Sequence, residues 1–241
     1  MSGEFLRSAI SQRRPLANAL LTFNFAAAAD VHPERLPGGA AGAAVRRLLA
    51  SRTGVRRLSL HLGWVLNGEN PPFCFAEFED HRLRAALMPR ELLEKVVSHL
   101  GLALNHRRVA RQIGRAQVQA LRAALGAEGY EFALRRAPFL LGAEEWARLP
   151  VPPDSPPYQG GDTGGVPTAA EVRECGLRGL AACVLGAPPG LTARLLLKLP
   201  PGAEAFFPPG GAFEQARDAV WKLMRRVILQ ESANEWAAFL S

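Results

Sequence analysis

The feature that most constrains the fold is an apolar stripe at helical spacing near the middle of the chain. Leu93, Val96, Val97, Leu100 and Leu104 recur every three or four residues, which places them on one face of a helix. Pro89 suits the first turn of this helix, where its missing N–H costs no hydrogen bond. The same periodicity returns near the C-terminus, in a strong amphipathic pattern formed by Phe213, Ala216, Val220, Leu223, Met224, Val227 and Ile228.

Weaker patterns between and before these two predict further helices. Thr168 followed by Glu171 is a capping-box signature for a helix that begins there. "LTARLLLKLP" fits either a strand or a helix, and "GENPPFCFAEFED" (68–80) is a loop or one short extended piece. The prediction is a mainly α, compact multi-helix globular protein with at most minor β structure, with further helices over residues 40–51, 55–67, 106–113, 115–125, 127–137 and 168–185.

A proline- and glycine-rich stretch, "VPPDSPPYQGGDTGGVP" (151–167), cannot form a packed element and predicts a loop or linker. We therefore expect a flexible N-terminal arm over residues 1–22 and a helical N-terminal region over 23–150. A helical C-terminal region over 168–241 is expected to pack on the first. The sequence leaves open whether 151–167 divides two domains or loops out of one.

The stretch "FNFAAAADVHPERLP" (23–37) is interpreted as the structural entry into the helical body. A proline disfavours the helical conformation of the residue before it, so His32 and Leu36 are expected to be extended or in turns. Phe23 and Phe25 are expected to face one side of an extended segment. The basic and apolar residues just before also imitate a secretion signal, but Asn18, Thr22 and Asn24 interrupt the apolar run, which favours a mobile arm.

The net charge of +7 and the pI near 10.1 raise the alternative of a basic helical nucleic-acid-binding protein. Only three lysines are present, however, and the arginine pairs lie far apart along the sequence, as in Arg46-Arg47 and Arg225-Arg226. Solvated faces or acidic protein partners therefore explain the charge better. No run of about 18 uncharged apolar residues predicts a membrane-spanning helix.

No catalytic or metal-binding pattern is visible. Cys175 and Cys183 are eight residues apart on one predicted helix, about 12 Å along its axis, which is too far for a disulfide. With Cys74 they are expected to be free buried thiols. The glycine-rich stretches lack the Lys-Ser or Lys-Thr of a phosphate-binding loop. The histidines have no metal-ligand spacing; they are His32, His61, His81, His99 and His106.

Five segments in collinear order resemble the SctK family, whose members include YscK and PscK. The similarity covers about half of the chain, and its motifs are diffuse. They include Leu100-Gly101-Leu102 followed by Val109-Ala110-Arg111, and Leu140-Leu141-Gly142. The segments are "FNFAAAADVHPERLP", "LLEKVVSHLGLALNHRRVARQIGRAQVQALRAALG", "ALRRAPFLLG", "GLRGLAACVLGAPPGLTARLLLKLP" and "AVWKLMRRVIL".

The resemblance implies a non-enzymatic cytoplasmic adaptor of a bacterial type III secretion system, with no cofactor. In the sorting platform, such proteins link the inner-membrane ring protein SctD to the pod protein SctQ. They thereby act indirectly on the SctL/SctN ATPase complex. The expected location is peripheral at the cytoplasmic face of the inner membrane, without membrane insertion. Arginine suits interfaces because its planar guanidinium can grip carboxylates, and the candidate partner contacts are Arg107, Arg108, Arg111, Arg225 and Arg226.

Overall fold

A computed structural model describes residues 11, 14–36, 42–67, 74, 76–149, 166–208, 211–231 and 236. Regular structure in these residues is helical throughout, without a strand, and confirms the predicted fold class. Short 3₁₀ or π turns connect several of the helices. The α-helices are α1 Arg14–Phe25, α2 Ala43–Leu49, α3 Arg52–Asn67, α4 Arg90–Leu104, α5 His106–Ala110, α6 Arg115–Glu131, α7 Ala143–Ala147, α8 Ala169–Cys183, α9 Pro189–Lys198, α10 Gly211–Gln215 and α11 Arg217–Glu231.

The chain divides into two compact units, and both are discontinuous in sequence. The first unit comprises Met1–Glu94, Gly186–Ala205 and Ala237–Ser241. The second comprises Lys95–Leu185 and Phe206–Trp236. Each unit therefore draws residues from both sides of the proline-rich segment 151–167, of which all but the last two residues lie outside the described part of the chain.

The entry segment differs from the prediction because residues 14–25 form helix α1. Phe23 and Phe25 are the last turn of helix α1, not part of an extended strand, and only Phe23 is buried. The Phe23 ring meets the Phe78 ring edge-on at 5.3 Å. Leu16 and Leu20 are buried on the same helix, so the expected flexible arm does not extend to residue 22. The predicted effect of the two prolines is confirmed, because His32 and Leu36 are both extended.

One apolar cluster of the first unit receives side chains from α2, α3 and α9. Helix α3 packs on α2, on α9 and on the short helix Ala27–Asp30. Because α2 and α3 bury one side each in a common cluster, their other sides face away from it. The buried members are Ala27, Ala28, Val31, Leu36, Val45, Leu58, Leu62 and Leu197.

A buried lysine links three parts of the first unit. Lys198, at the end of α9, has its Nζ atom 2.8 Å from Asp30 Oδ2 and donates a hydrogen bond to the Met88 carbonyl at 2.7 Å. The second oxygen of Asp30 accepts a hydrogen bond from the backbone N–H of Arg90, in the first turn of α4. Burial lowers the pKa of Lys198, and Asp30 opposes that shift. Removal of either charge would leave the other without its partner in a buried site.

The second unit is organised around a very close crossing of α4 and α8. A Cβ atom added to Gly101 would lie 1.9 Å from the Val172 carbonyl oxygen, and one added to Gly176 would lie 2.0 Å from the Val97 carbonyl oxygen. The backbones can approach this closely only because both positions are glycine. Helix α11 packs on α8. The capping box predicted at the start of α8 is confirmed by hydrogen bonds in both directions between Thr168 and Glu171.

Candidate partner-binding surface

The three arginines predicted as partner contacts on or next to helix α5 differ in their exposure. Arg107 and Arg111 are exposed. Arg108 is half-buried: its guanidinium donates to Asn105 Oδ1 at 3.2 Å and lies 3.8 Å from a carboxylate oxygen of Glu171. Arg108 therefore ties α5 to the start of α8, and Arg107 and Arg111 are the exposed members of this group.

Helix α5 is short, and its position is fixed by buried contacts at its first residue. The Nδ1 atom of His106 is 2.7 Å from the Ala103 carbonyl oxygen, and its ring lies 4.3 Å from the Trp146 ring. The Trp146 indole N–H donates to the Pro138 carbonyl oxygen at 3.2 Å. Through these contacts the start of α5 lies beside residues 137–139. Burial lowers the pKa of His106, so the imidazole is held in its neutral form.

Two large apolar side chains are strongly exposed at this part of the second unit. Ile113 is 89% exposed and follows α5 by three residues, while Phe139 is 84% exposed and follows Pro138. Isolated exposed apolar residues are common on protein surfaces. Here two accompany exposed arginines, a combination of residue types favoured at protein interfaces. We call Arg107, Arg111, Ile113 and Phe139 the α5 surface.

Ile113 and Phe139 were not identified by sequence reasoning. The available signal was weak: each stands next to a residue that breaks a helix, Gly114 after Ile113 and Pro138 before Phe139. Such positions place side chains in turns, where burial does not follow from helical periodicity.

The other predicted arginines, Arg225 and Arg226, are exposed on α11. Helix α11 packs mainly on α8, whereas α5 packs mainly on the turn Phe132–Arg136. The five predicted arginines therefore lie on or beside two different helices, which pack mainly on different elements. The opposite side of α11 is its buried face, formed by Val220, Trp221, Leu223, Met224, Val227 and Ile228.

The end of α11 is held by a buried carboxylate. The side chain of Glu231 is only 3% exposed, and its Oε2 atom lies 2.6 Å from Lys95 Nζ and 3.8 Å from His99 Nδ1. Arg136 approaches the other oxygen at 3.5 Å. Burial lowers the pKa of His99, while the Glu231 carboxylate acts in the opposite direction. This cluster holds α11 against α4 and leaves its arginines on the outside.

A cavity of about 360 Å³ lies between α7 and the first turns of α11. Its polar lining includes Glu145, Arg148, Asp218 and Lys222. Lys222 Nζ is 3.3 Å from a Glu145 oxygen, and the backbone N–H of Gly142 donates to the other oxygen. Because both signs of charge line this open cavity, it favours no particular sign of charge in a ligand.

Neither a metal-binding cluster nor a membrane-spanning helix is found among the described residues. They contain no group of three or more His, Cys, Asp or Glu side chains placed to hold a metal ion. None of their helices is long and apolar enough to cross a membrane. The three cysteines are confirmed as buried thiols.

Comparison with known proteins identifies the family of the chain. No curated protein and no solved structure gives a significant match. The family model described as "YOP proteins translocation protein K (YscK)" matches residues 21–236, which is most of the chain. The chain belongs to the YscK family and is a type III secretion protein.

Proposed function

We propose that this chain is a non-enzymatic cytoplasmic adaptor of a type III secretion sorting platform. It links the cytoplasmic domain of an SctD-type ring protein to an SctQ-type pod protein, and through the latter acts on the SctL/SctN ATPase complex. This places it peripherally at the cytoplasmic face of the inner membrane. Membership of the YscK family supports the proposal.

The observation that carries the proposal is the exposure of apolar and cationic side chains together on the α5 surface. Exposed Ile113 and Phe139 would release water from apolar surface when covered by a partner. Arg107 and Arg111 can form paired hydrogen bonds with carboxylates at the same interface. The arginines of α11 lie on a different helix, and we propose that they form the second contact that a bridging protein requires.

The proposal predicts that the pair Arg107 and Arg111 contacts one partner protein and the pair Arg225 and Arg226 contacts the other. Purified wild-type protein is tested for binding to the SctQ-type protein and to the SctD-type cytoplasmic domain from the same secretion system. We expect Arg107→Glu/Arg111→Glu to weaken one of these complexes by about tenfold or more, because charge reversal places like charges across the interface. Arg225→Glu/Arg226→Glu is expected to weaken the other.

The matched control is Arg46→Glu/Arg47→Glu, which makes the same change in net charge at exposed positions of the first unit. Both complexes should tolerate it. If the wild-type chain binds neither protein, the adaptor proposal is wrong. The nucleic-acid alternative predicts instead that the wild-type chain binds duplex DNA with an affinity that falls steeply as salt is raised.

A further inference from the structure

A helical hairpin in the first unit carries five exposed arginines. Helices α2 and α3 pack on each other, and a Cβ atom added to Gly54 would lie 2.2 Å from the Leu48 carbonyl oxygen. This packing places arginines of two successive helices on one hairpin. We call the hairpin, with its five exposed arginines, the arginine hairpin; they are Arg46, Arg47, Arg52, Arg56 and Arg57.

The charge of the arginine hairpin has a single sign. Residues 43–67 contain these five arginines and no aspartate or glutamate. The short helix Ala27–Asp30, which packs against α3, contributes one acid, and its carboxylate is occupied by Lys198 and by the backbone N–H of Arg90. The positive potential is therefore not neutralised by the hairpin itself or by this neighbouring segment.

Two leucines are exposed among these arginines. Leu60 is 41% exposed and Leu48 is 39% exposed. On α3, Leu60 follows Arg56 by four residues and Arg57 by three, so it lies between them on one helix face. A face with arginines around an exposed leucine combines the two components of interfacial membrane binding, which are charge attraction and shallow apolar burial.

We propose that the arginine hairpin binds the surface of a bilayer that contains anionic phospholipids. The guanidinium groups pair with headgroup phosphates, and Leu60 and Leu48 reach the boundary of the acyl chains without spanning the membrane. A cluster of this size falls in the range of four to eight basic residues that recognises anionic lipid surfaces. The arginine hairpin belongs to the first unit and the α5 surface to the second, and the inference goes beyond the proposed adaptor function.

The observations favour lipid over the two other anionic classes. Duplex DNA would be held by the arginines but would leave the exposed leucines without a role, since phosphate contacts need only cations and polar groups. A protein partner would have to present carboxylates at fixed positions that match five arginines on two helices. Lipid headgroups are mobile, so they can match five arginines on two helices.

The test is co-sedimentation of the purified full-length chain with vesicles of phosphatidylglycerol and phosphatidylcholine in equal parts. Vesicles of phosphatidylcholine alone are the lipid control. Each basic residue near such a surface contributes roughly a fivefold factor in partitioning. We expect Arg52→Gln/Arg56→Gln/Arg57→Gln to lower partitioning on the order of 100-fold. Leu60→Ser should lower the part of the binding that persists at high salt.

The matched control is Arg115→Gln/Arg135→Gln/Arg173→Gln, which removes the same charge from exposed positions of the second unit. It should keep most of the vesicle binding. Equal losses in both triple variants, or equal binding to phosphatidylcholine alone, would overturn the inference. Binding to duplex DNA that the hairpin variant abolishes, without vesicle binding by the wild type, would assign the hairpin to nucleic acid instead.

Discussion

At the scale of single residues, two buried charged groups in the described part of the chain lie beside groups of opposite charge. Glu231 is surrounded by three basic side chains, and Lys198 pairs with Asp30. The two buried histidines differ from these, because burial lowers the pKa of both and favours their neutral form. Their protonation therefore opposes the folded state, which makes stability depend on pH.

This effect predicts that acid destabilises the protein through His106. In the unfolded chain an imidazole titrates near pH 6.5, whereas in the folded chain the pKa of His106 is lower. Below that ordinary value the unfolded state binds a proton that the folded state does not. The free energy of unfolding should therefore decrease as pH falls, by at most about 1.4 kcal/mol per pH unit for this residue. Urea denaturation between neutral and mildly acidic pH measures it.

The variant His106→Gln removes this titration, and its stability should fall less steeply with pH than that of the wild type. His61→Gln, at an exposed position of α3, is the matched control. If both variants change the slope equally, burial at residue 106 is not the cause. His99 is expected to add to the wild-type slope, reduced by the attraction between its protonated form and Glu231.

At the scale of secondary-structure elements, the helix crossing in the second unit depends on two glycines. Gly101 on α4 faces the backbone of Val172, and Gly176 on α8 faces the backbone of Val97. Backbone atoms cannot rotate away as a side chain can, so a methyl group at either position would push the helices apart. The contact between α4 and α8 therefore requires the absence of a Cβ atom on both sides.

We predict that Gly101→Ala and Gly176→Ala each lower the free energy of unfolding by about 3 kcal/mol, the upper part of the range for overpacking. This loss would exceed the gain of up to about 1 kcal/mol that alanine normally brings inside a helix. Chemical denaturation measures the net change in the free energy of unfolding, which combines the loss from overpacking and the gain in helix propensity. Gly129→Ala is the control, because its nearest contact is the end of the Leu102 side chain at 3.3 Å. A neutral result at Gly101 and Gly176 would show that the helices separate without cost.

The sequence predicted these helices but not the way they meet. Apolar spacing predicts α4 and α11, and Thr168 with Glu171 predicts the start of α8. The boundary predicted between helices 115–125 and 127–137 coincides with a kink of α6 at Gly126, where φ is 73°. The close crossing was not predictable, because a glycine inside a predicted helix does not show which other helix it faces. The same limit applies to the prediction of surfaces. The sequence shows where the arginines are along the chain, but their grouping on the hairpin depends on how α2 packs against α3.

At the scale of the whole molecule, the sequence leaves open whether the proline-rich segment 151–167 divides two domains or loops out of one. A linker between two domains would leave each domain continuous on one side of it. The two compact units are arranged otherwise, because each combines residues that precede this segment with residues that follow it. The sequence could not show this, since long-range contacts decide which distant segments share a core.

We therefore predict that a single cut within 151–167 leaves the protein assembled. A protease recognition site inserted in this segment allows the cut to be made after purification. The two fragments should co-elute in native gel filtration and separate in denaturant, because residues such as those of α9 are needed to complete a core formed mostly by the other fragment. Two fragments that separate under native conditions, each folded by circular dichroism, would contradict this and make the segment a linker between independent domains.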